Sequence, residues 1–469
     1  MKSTNMDPNA KLSFIERFGY GVGDYANNLV VSAINAFLLV YYTNVVGVNS
    51  AVAASIIAVS KLLDGVSDLA MGYIVDHTHS RFGKARPWIL RLCLPLAIST
   101  ILMFSVPSGL QGKMQIIYIF LTYNLTSTVF YTGMNVPYAT LNGLMTTNQY
   151  ERGLLGNFRM LLATAGTMTV NTVVLKMTGF FGGGDIYTQK GWTLTFVILM
   201  IAMVVLNLFV FAVCKERVVE QGGSEKEEEK QEKAQGVPFI KGLVGLLKNK
   251  YWLIVVLCMF VMYFMMSCFY GSAFYFAQYN MGNGDYYTMV ANVLSIAQIA
   301  TMFVTPFLMK KMSKRNVLLI GVLITLAGFV LTGFTTNYTA VCVLSAVKGI
   351  GFGCCSATAF GCLQDAITYG EWLNGYGTSG MGNAASSFCM KVGSGVGTAV
   401  FGWVLSAGGF DAAKAVQSSS SLFSISMSFV WLPAISLLIA TIGFLFYDLD
   451  KKYDKVIADL AVGKHKGDK

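Results

Sequence analysis

The chain has 469 residues, of which 54% are hydrophobic and 12% charged, with a mean hydropathy of +0.57. A soluble protein of this size carries about 25% charged residues, so the composition excludes an ordinary globular domain and points to a helical membrane protein. A net charge of +10 would suit a nucleic-acid binder only if it gathered on a soluble surface; its distribution along the chain assigns it elsewhere.

The first 18 residues are polar and charged, so no cleavable signal peptide is expected and the first span directs insertion. Stretches long enough to cross about 30 Å of hydrocarbon are read at 19–43, 51–76, 88–107, 115–141, 154–177 and 191–214. A second set falls at 251–279, 286–309, 316–335, 338–364, 381–407 and 421–447. Membrane barrel strands would instead read as segments of about ten alternating residues. The expected fold is therefore all-α, with twelve transmembrane helices in two six-helix bundles.

Between the sixth and seventh spans lies KERVVEQGGSEKEEEKQEKAQG (215–236), a polar stretch that reads as a solvated linker. This predicts an N-terminal bundle over 1–214, a cytoplasmic linker over 215–250, a C-terminal bundle over 251–448 and a cytoplasmic tail over 449–469. Of 34 Lys and Arg, 27 fall on one side, in the two tails and the even-numbered loops or at their edges. That bias places both termini in the cytoplasm. The basic charge is thus topology, and no nucleic-acid partner is expected. The nine cysteines all lie within or beside spans and read as small apolar fillers.

Ionisable groups at mid-membrane cost at least a few kcal/mol each and are functional candidates. Among 24 Asp and Glu, only Asp24, Asp64 and Asp68 lie well within spans. Asp64 and Asp68 are four apart on the second span, with Lys61 three residues earlier on the same face. One lysine leaves the pair net negative, which suits a monovalent cation or a proton. Asp24 begins a polar stripe on the first span with Asn28 and Asn35. The fourth span carries Asn124, Thr128, Thr132 and Asn135, and the eleventh Ser387, Lys391, Ser394 and Thr398. Three such stripes read as the lining of a cavity for a hydroxyl-rich ligand. Lys348, in the tenth span, has no partner legible in the sequence. No HExxH, Walker loop or nucleophile elbow occurs. The Gly-x-Gly runs at 349–353 and 393–397 fall in spans, where they read as close helix packing. No enzymatic function is expected.

Six plus six spans around a central linker resemble the major facilitator superfamily. Gly72-x-x-x-Asp76 with Arg81-x-Gly83-Lys84 resembles its signature, a cytoplasmic gate that would use Asp76, Arg81 and Lys84. More closely, GYGVGD (19–24), DGVSDLAMGYIVDHTHSRFGKARPWIL (64–90), YTGMNVPYATL (131–141), ERGLLGNFR (151–159), DAITYGEW (365–372) and the Lys391 helix resemble the glycoside–pentoside–hexuronide cation symporters. The melibiose permease is the best-known member type, and the resemblance covers essentially the whole chain.

The resemblance implies a cation site at Asp64, Asp68 and Thr132, with Ser67 standing where melibiose-type members have Asn. Asp64 and Asp68 would hold the metal if the coupling ion is Na⁺, and the Ser67 difference leaves Na⁺ against H⁺ open. It implies a sugar site at Asp24, Arg159 and Lys391, to which the polar stripes add Asn135 and Ser387. Asn135 stands where melibiose-type members have a second Asp, and Ala139 where they have a Trp. Both differences turn the reading from a galactoside toward a hexuronide. The expected function is cation-coupled uptake of a glycoside across the cytoplasmic membrane by a monomer, with no cofactor beyond the co-transported ion. A lysolipid transporter and a transport-dead sugar sensor are the alternatives.

Overall fold

The computed structural model describes residues 11–78, 80–146, 148–217, 239–376, 378–414, 416–461 and 464–465. Among them every regular element is helical. In chain order these are α1 (Phe14–Val40), α2 (Ser50–Asp76), α3 (Arg86–Met103), α4 (Lys113–Asn124), α5 (Thr132–Met145), α6 (Gln149–Phe181) and α7 (Gln189–Val213). There follow α8 (Phe239–Lys248), α9 (Lys250–Tyr275), α10 (Tyr286–Lys311), α11 (Lys314–Thr332), α12 (Tyr338–Asn374) and α13 (Ser379–Ala407). The last are α14 (Ser419–Ser426), α15 (Leu432–Leu445) and α16 (Tyr453–Ala461).

Eleven helices among the described residues are long and apolar enough to cross a membrane. The expected fourth span, 115–141, stands apart from them. It is helical from Lys113 to Met145, but in three pieces, with π-helical Leu125–Tyr131 between α4 and α5. Its Thr, Ser and Asn residues dilute the hydropathy that marks the others. The helices also outrun the expected ends: 154–177 is part of Gln149–Phe181, and 338–364 part of Tyr338–Asn374. Polar turns continue the backbone ladder past the apolar run, so hydropathy alone underestimates length. Within the expected linker, Phe239–Lys248 forms α8, on which Leu246 is 1% exposed; residues 218–238 lie outside the described set.

The starts of the helices follow local chemistry. Ser13 and Glu16 form a reciprocal capping box on α1, and Asn49, Thr188, Ser313 and Asn337 cap α2, α7, α11 and α12 through side-chain oxygens. Gly375 ends α12 in the left-handed conformation at φ +74°.

The chain divides into two compact units. The first comprises Met1–Val219, Tyr270–Asn292 and Thr398–Ile425, and the second Glu220–Phe269, Val293–Gly397 and Ser426–Lys469. In the first, α1 packs along α6 because glycines remove the obstacle. A Cβ on Gly21 would lie 2.7 Å from the Phe158 carbonyl oxygen, and one on Gly166 2.7 Å from that of Tyr25. Hydroxyl pairs then bridge the two helices, Tyr25 to Thr169 at 2.9 Å and Ser32 to Thr167 at 2.8 Å. In the same unit Thr43 meets the Tyr275 hydroxyl at 2.7 Å, and the amides of Asn44 and Asn292 donate to Tyr279 and Thr172.

In the second unit the Gly-x-Gly runs do serve close packing. Cβ atoms on Gly393 and Gly397 would lie 2.4 Å from the carbonyl oxygens of Phe260 and Phe264, and one on Gly349 2.3 Å from that of Leu294. Lys348 is fully buried there at 0% exposure. Its ammonium lies 4.9 to 5.3 Å from the ring centroids of Phe269, Phe329 and Phe429 and 3.4 Å from the Thr332 hydroxyl. An aromatic enclosure of this kind stabilises a cation where no carboxylate does.

The glycine contacts yield a paired prediction. A Cβ on Gly72 would meet nothing within 4 Å, so Gly72→Ala should hold or raise the melting temperature, gaining about 0.5–1 kcal/mol of helix propensity. Gly166→Ala receives the same gain yet should lower it, overpacking costing about 1–3 kcal/mol. Thermal unfolding of the two purified variants in one detergent checks the difference.

Candidate functional site

Two polar centres occupy the first unit. The nearer to the N-terminus is built on GYGVGD. Gly21 lets α6 approach, and Gly23 leaves room for the Tyr138 ring, whose Cε2 a Cβ there would meet at 2.4 Å. Tyr138 stacks on Tyr20 with centroids 4.8 Å apart and donates its hydroxyl to the Tyr20 carbonyl. On this platform Arg159 of α6 donates from Nε to Asp24 Oδ2 at 3.0 Å, its guanidinium carbon 5.4 Å from the Tyr138 centroid. Asp24 is 7% exposed whereas Arg159 is only half-buried. The Asn28 amide donates to the Asp24 carbonyl, and Thr167 donates to Asn28. The pair thus ends a polar seam that runs along α1 and α6.

The second centre lies between α2 and the interrupted α4–α5 helix. Thr128 and Ser127 donate to opposite oxygens of Asp64, Oδ1 at 2.5 Å and Oδ2 at 2.9 Å. One helical turn further, Thr132 donates to Asp68 Oδ1 at 3.1 Å. One turn earlier, the Asn124 amide donates to the Ser60 hydroxyl at 2.8 Å. The four-residue spacing on both helices makes these rungs of a single ladder. Asp64 and Thr132 are buried, and Asp68 and Ser67 are half-buried. The Ser67 hydroxyl donates back to the Asp64 carbonyl at 3.1 Å.

Tyr131, half-buried, stands on the fourth span between Thr128 and Thr132 of the second centre. The sequence offered no signal for it, since an aromatic residue in an apolar helix reads as packing.

The expected residues therefore fall into groups. Asp24 and Arg159 are joined directly, and Asp64, Asp68 and Thr132 share one ladder. Asn124, Thr128 and Thr132, read as lining a ligand cavity, turn instead to α2. Asn135, one turn beyond Tyr131, is half-buried. Ser387 and Lys391 stand one turn apart on α13 in the second unit, both half-buried. Ser394 of the same stripe is used in helix packing, bonded to Ser267 at 2.7 Å.

At the Asp76–Arg81–Lys84 turn, the Asp76 side chain lies outside the described residues. The Arg81 guanidinium sits over the Phe82 ring at 4.7 Å. Long-range contacts there are made by the Arg86 side chain, whose guanidinium lies over the Phe211 ring at 4.6 Å, and by the backbone. The N–H groups of Lys84, Ala85 and Arg86 donate to the Glu216 carboxylate at 2.8, 2.9 and 2.9 Å. An anion at a helix start is favoured by the free N–H groups and the helix dipole. Gly83, at φ +102°, makes the approach possible, because a Cβ would lie 2.2 Å from that carboxylate. Neighbouring ion pairs fasten the same end of the unit: Arg17 to Glu151 at 2.8 Å, and Arg217 to Glu16.

Eleven helices long and apolar enough to cross a membrane, with partnered charges within them, mark a multi-pass membrane protein. The fold is that of the major facilitator transporters. The crystal structure of a D-xylose-proton symporter matches with a TM-score of 0.65 at 12% identity, covering 94% of this chain and 98% of that one. The family model described as MFS/sugar transport protein matches residues 19–451, and the chain belongs to that family. The isoprimeverose transporter of Lactiplantibacillus pentosus is 32% identical over 448 residues, covering 95% of this chain and 91% of the relative. The putative glycoside/cation symporter YagG of Escherichia coli (strain K12) is 29% identical, covering 91% and 90%. The expected resemblance to glycoside symporters stands.

Glu216→Ala should speed hydrogen exchange at the amides of Lys84, Ala85 and Arg86 by about tenfold, the loss of an N-terminal cap being worth about 0.5–2 kcal/mol. Exchange at the Asn49-capped start of α2 should not change. Mass-spectrometric exchange of the variant against the parent protein makes the comparison.

Proposed function

We propose that the chain is a secondary active transporter that takes up a glycoside together with a monovalent cation, Na⁺ or H⁺, by alternating access across the inner cell membrane. The observation that carries this reading is the presence of two polar centres in one unit: a partly open Asp24–Arg159 pair, and carboxylates clasped by hydroxyls. The first offers donors and acceptors to sugar hydroxyls, and the second offers oxygens to a cation. The names of the relatives, an isoprimeverose transporter and a putative glycoside/cation symporter, support the same reading.

In this account Asp24, Asn135 and Arg159 of the N-terminal bundle and Ser387 and Lys391 of the C-terminal bundle bind the sugar. Asp64, Ser67, Asp68 and Thr132 form the cation site, and Asp76, Arg81 and Lys84 the cytoplasmic gate. Twelve spans keep both termini in the cytoplasm, and the working unit is a monomer. Neutralising the carboxylates with a cation favours sugar binding beside them, and the coupling is reciprocal. One charge crossing 100 mV releases about 2.3 kcal/mol, and a tenfold ion gradient adds about 1.4 kcal/mol. One cation per sugar therefore supports accumulation of several hundred-fold, at about 1.4 kcal/mol per factor of ten.

A lysolipid is the second reading. It is favoured by one observation, a cavity of about 770 Å³ lined almost wholly by apolar side chains of α1, α6 and α7, among them Phe18, Leu29, Leu162 and Leu206.

The test is a thermal-shift screen of the purified protein against isoprimeverose, other glycosides, hexuronides and lysolipids, in Na⁺ and in K⁺ at two pH values. A ligand at 100 times its dissociation constant stabilises by about 2.7 kcal/mol. The expected result is a shift with one class of glycoside, lost in Asp24→Asn and in Lys391→Ala. Shifts with lysolipids alone would replace the sugar by the lipid. A sugar shift of parental size in both variants would refute the assigned sugar site.

A further inference from the structure

The Thr128 hydroxyl that donates to Asp64 faces more acceptors than it has protons. Thr128 has one hydroxyl proton and two acceptors, Asp64 Oδ1 at 2.5 Å and Asn124 Oδ1 at 3.2 Å. The Asn124 amide cannot turn to relieve this, because its nitrogen already donates to the Ser60 hydroxyl and to the Phe120 carbonyl, both at 2.8 Å. Ser127 donates its single proton to Asp64 Oδ2. One turn earlier on the same span is Tyr123, whose hydroxyl is buried and makes no hydrogen bond of ordinary geometry among the described residues. A buried hydroxyl left unsatisfied is uncommon and calls for an explanation.

Both hydroxyls that clasp Asp64 therefore have a second acceptor in waiting. Resting on the cation-coupled reading above, we propose that Ser127 and Thr128 are ligands of a monovalent metal cation, Na⁺ or Li⁺, bound at Asp64. On arrival of the ion their protons rotate from Asp64 to Tyr123 and Asn124, which turns hydroxyl lone pairs and both carboxylate oxygens toward the metal. Asp64 Oδ1 and Oδ2 with Ser127 Oγ and Thr128 Oγ1 supply four oxygens, and Thr132 with Asp68 stands one turn away. Hard cations are held by several oxygens of this kind, whereas a proton needs one carboxylate oxygen and, once bound, a single acceptor.

The site is assembled by the irregular backbone of the fourth span. Ser127 and Thr128 are consecutive, and in a regular α-helix consecutive side chains point about 100° apart. They reach one carboxylate from within π-helical Leu125–Tyr131, a widened turn of the sort that recurs at functional sites. Ser67 already donates its proton to the carbonyl of its own helix, which leaves its oxygen lone pairs available to an ion. The inference thus extends the ligand set to two further residues of the fourth span.

The experiment measures apparent dissociation constants for Na⁺ and Li⁺ by thermal shift of the full chain, at constant ionic strength with choline as the replacement ion. The proposal expects the parent protein to be stabilised by one of the two metals. Ser127→Ala and Thr128→Val should each weaken that metal tenfold or more, and Thr128→Ser, which keeps the oxygen, should stay within threefold of the parent. Equal losses in Thr128→Ser and Thr128→Val would show packing rather than coordination and overturn the proposal. So would parental affinity in both Ser127→Ala and Thr128→Val. A parent indifferent to both metals would also overturn it, while leaving proton-coupled transport intact. Asp64→Asn separates the two levels: if it abolishes the metal response while the hydroxyl variants keep it, only the ligand assignment falls. If Asp64→Asn itself binds normally, the carboxylate reading of the cation site falls too.

Discussion

A charged group inside a membrane must bring its own solvation, and that constraint organises everything specific about this chain. Bulk hydrocarbon offers no hydrogen bonds, so each intramembrane charge is kept only where protein atoms replace water. Asp24 is solvated by Arg159, Asp64 by the Ser127 and Thr128 hydroxyls, Asp68 by Thr132, and Lys348 by three aromatic faces. The four arrangements differ in chemistry and therefore in use. An ion pair with one half-exposed partner can exchange that partner for sugar hydroxyls. Hydroxyls can turn their protons aside and offer lone pairs instead. Lys348, enclosed by three rings and bonded to the Thr332 hydroxyl, is held by packing.

Glycine sets where these groups can meet. Gly21 and Gly166 draw α1 and α6 together so that Arg159 spans the gap to Asp24, and Gly83 admits Glu216 to the start of α3. A larger residue at any of the three would separate charges that depend on contact. Close packing of the apolar helices and solvation of the buried charges are thus one problem, solved at the same positions.

Much of this was legible in the sequence, and the reasons are specific. Asp24, Asp64 and Asp68 stand out because carboxylates in apolar runs are costly and therefore few, and the four-residue spacing of Asp64 and Asp68 matched that of Thr128 and Thr132. The Gly-x-Gly runs at 349–353 and 393–397 were readable as packing, because small residues in spans rarely have another use. What stayed hidden depends on irregular or three-dimensional features. The π-helical turn at Leu125–Tyr131 moves Ser127 onto Asp64, where a regular helical projection does not place it. Glu216 sits in a stretch whose composition reads as solvated linker, yet it binds the backbone of a turn more than a hundred residues earlier. Tyr131 and the Phe cage of Lys348 are indistinguishable in sequence from ordinary aromatic packing.

Coupling is what the proposed function turns on: the polar ladder on α2 is proposed to harvest an ion gradient for a sugar bound at Asp24 and Arg159. The direct measurement is accumulation of radiolabelled isoprimeverose, or of the glycoside that the binding screen selects, in proteoliposomes carrying an imposed Na⁺ or proton gradient and membrane potential. The account predicts transient accumulation well above the outside concentration, driven by one of the two ions and collapsed by its ionophore. Equilibration to the outside concentration alone, whatever the gradient, would contradict it and make the chain a uniporter.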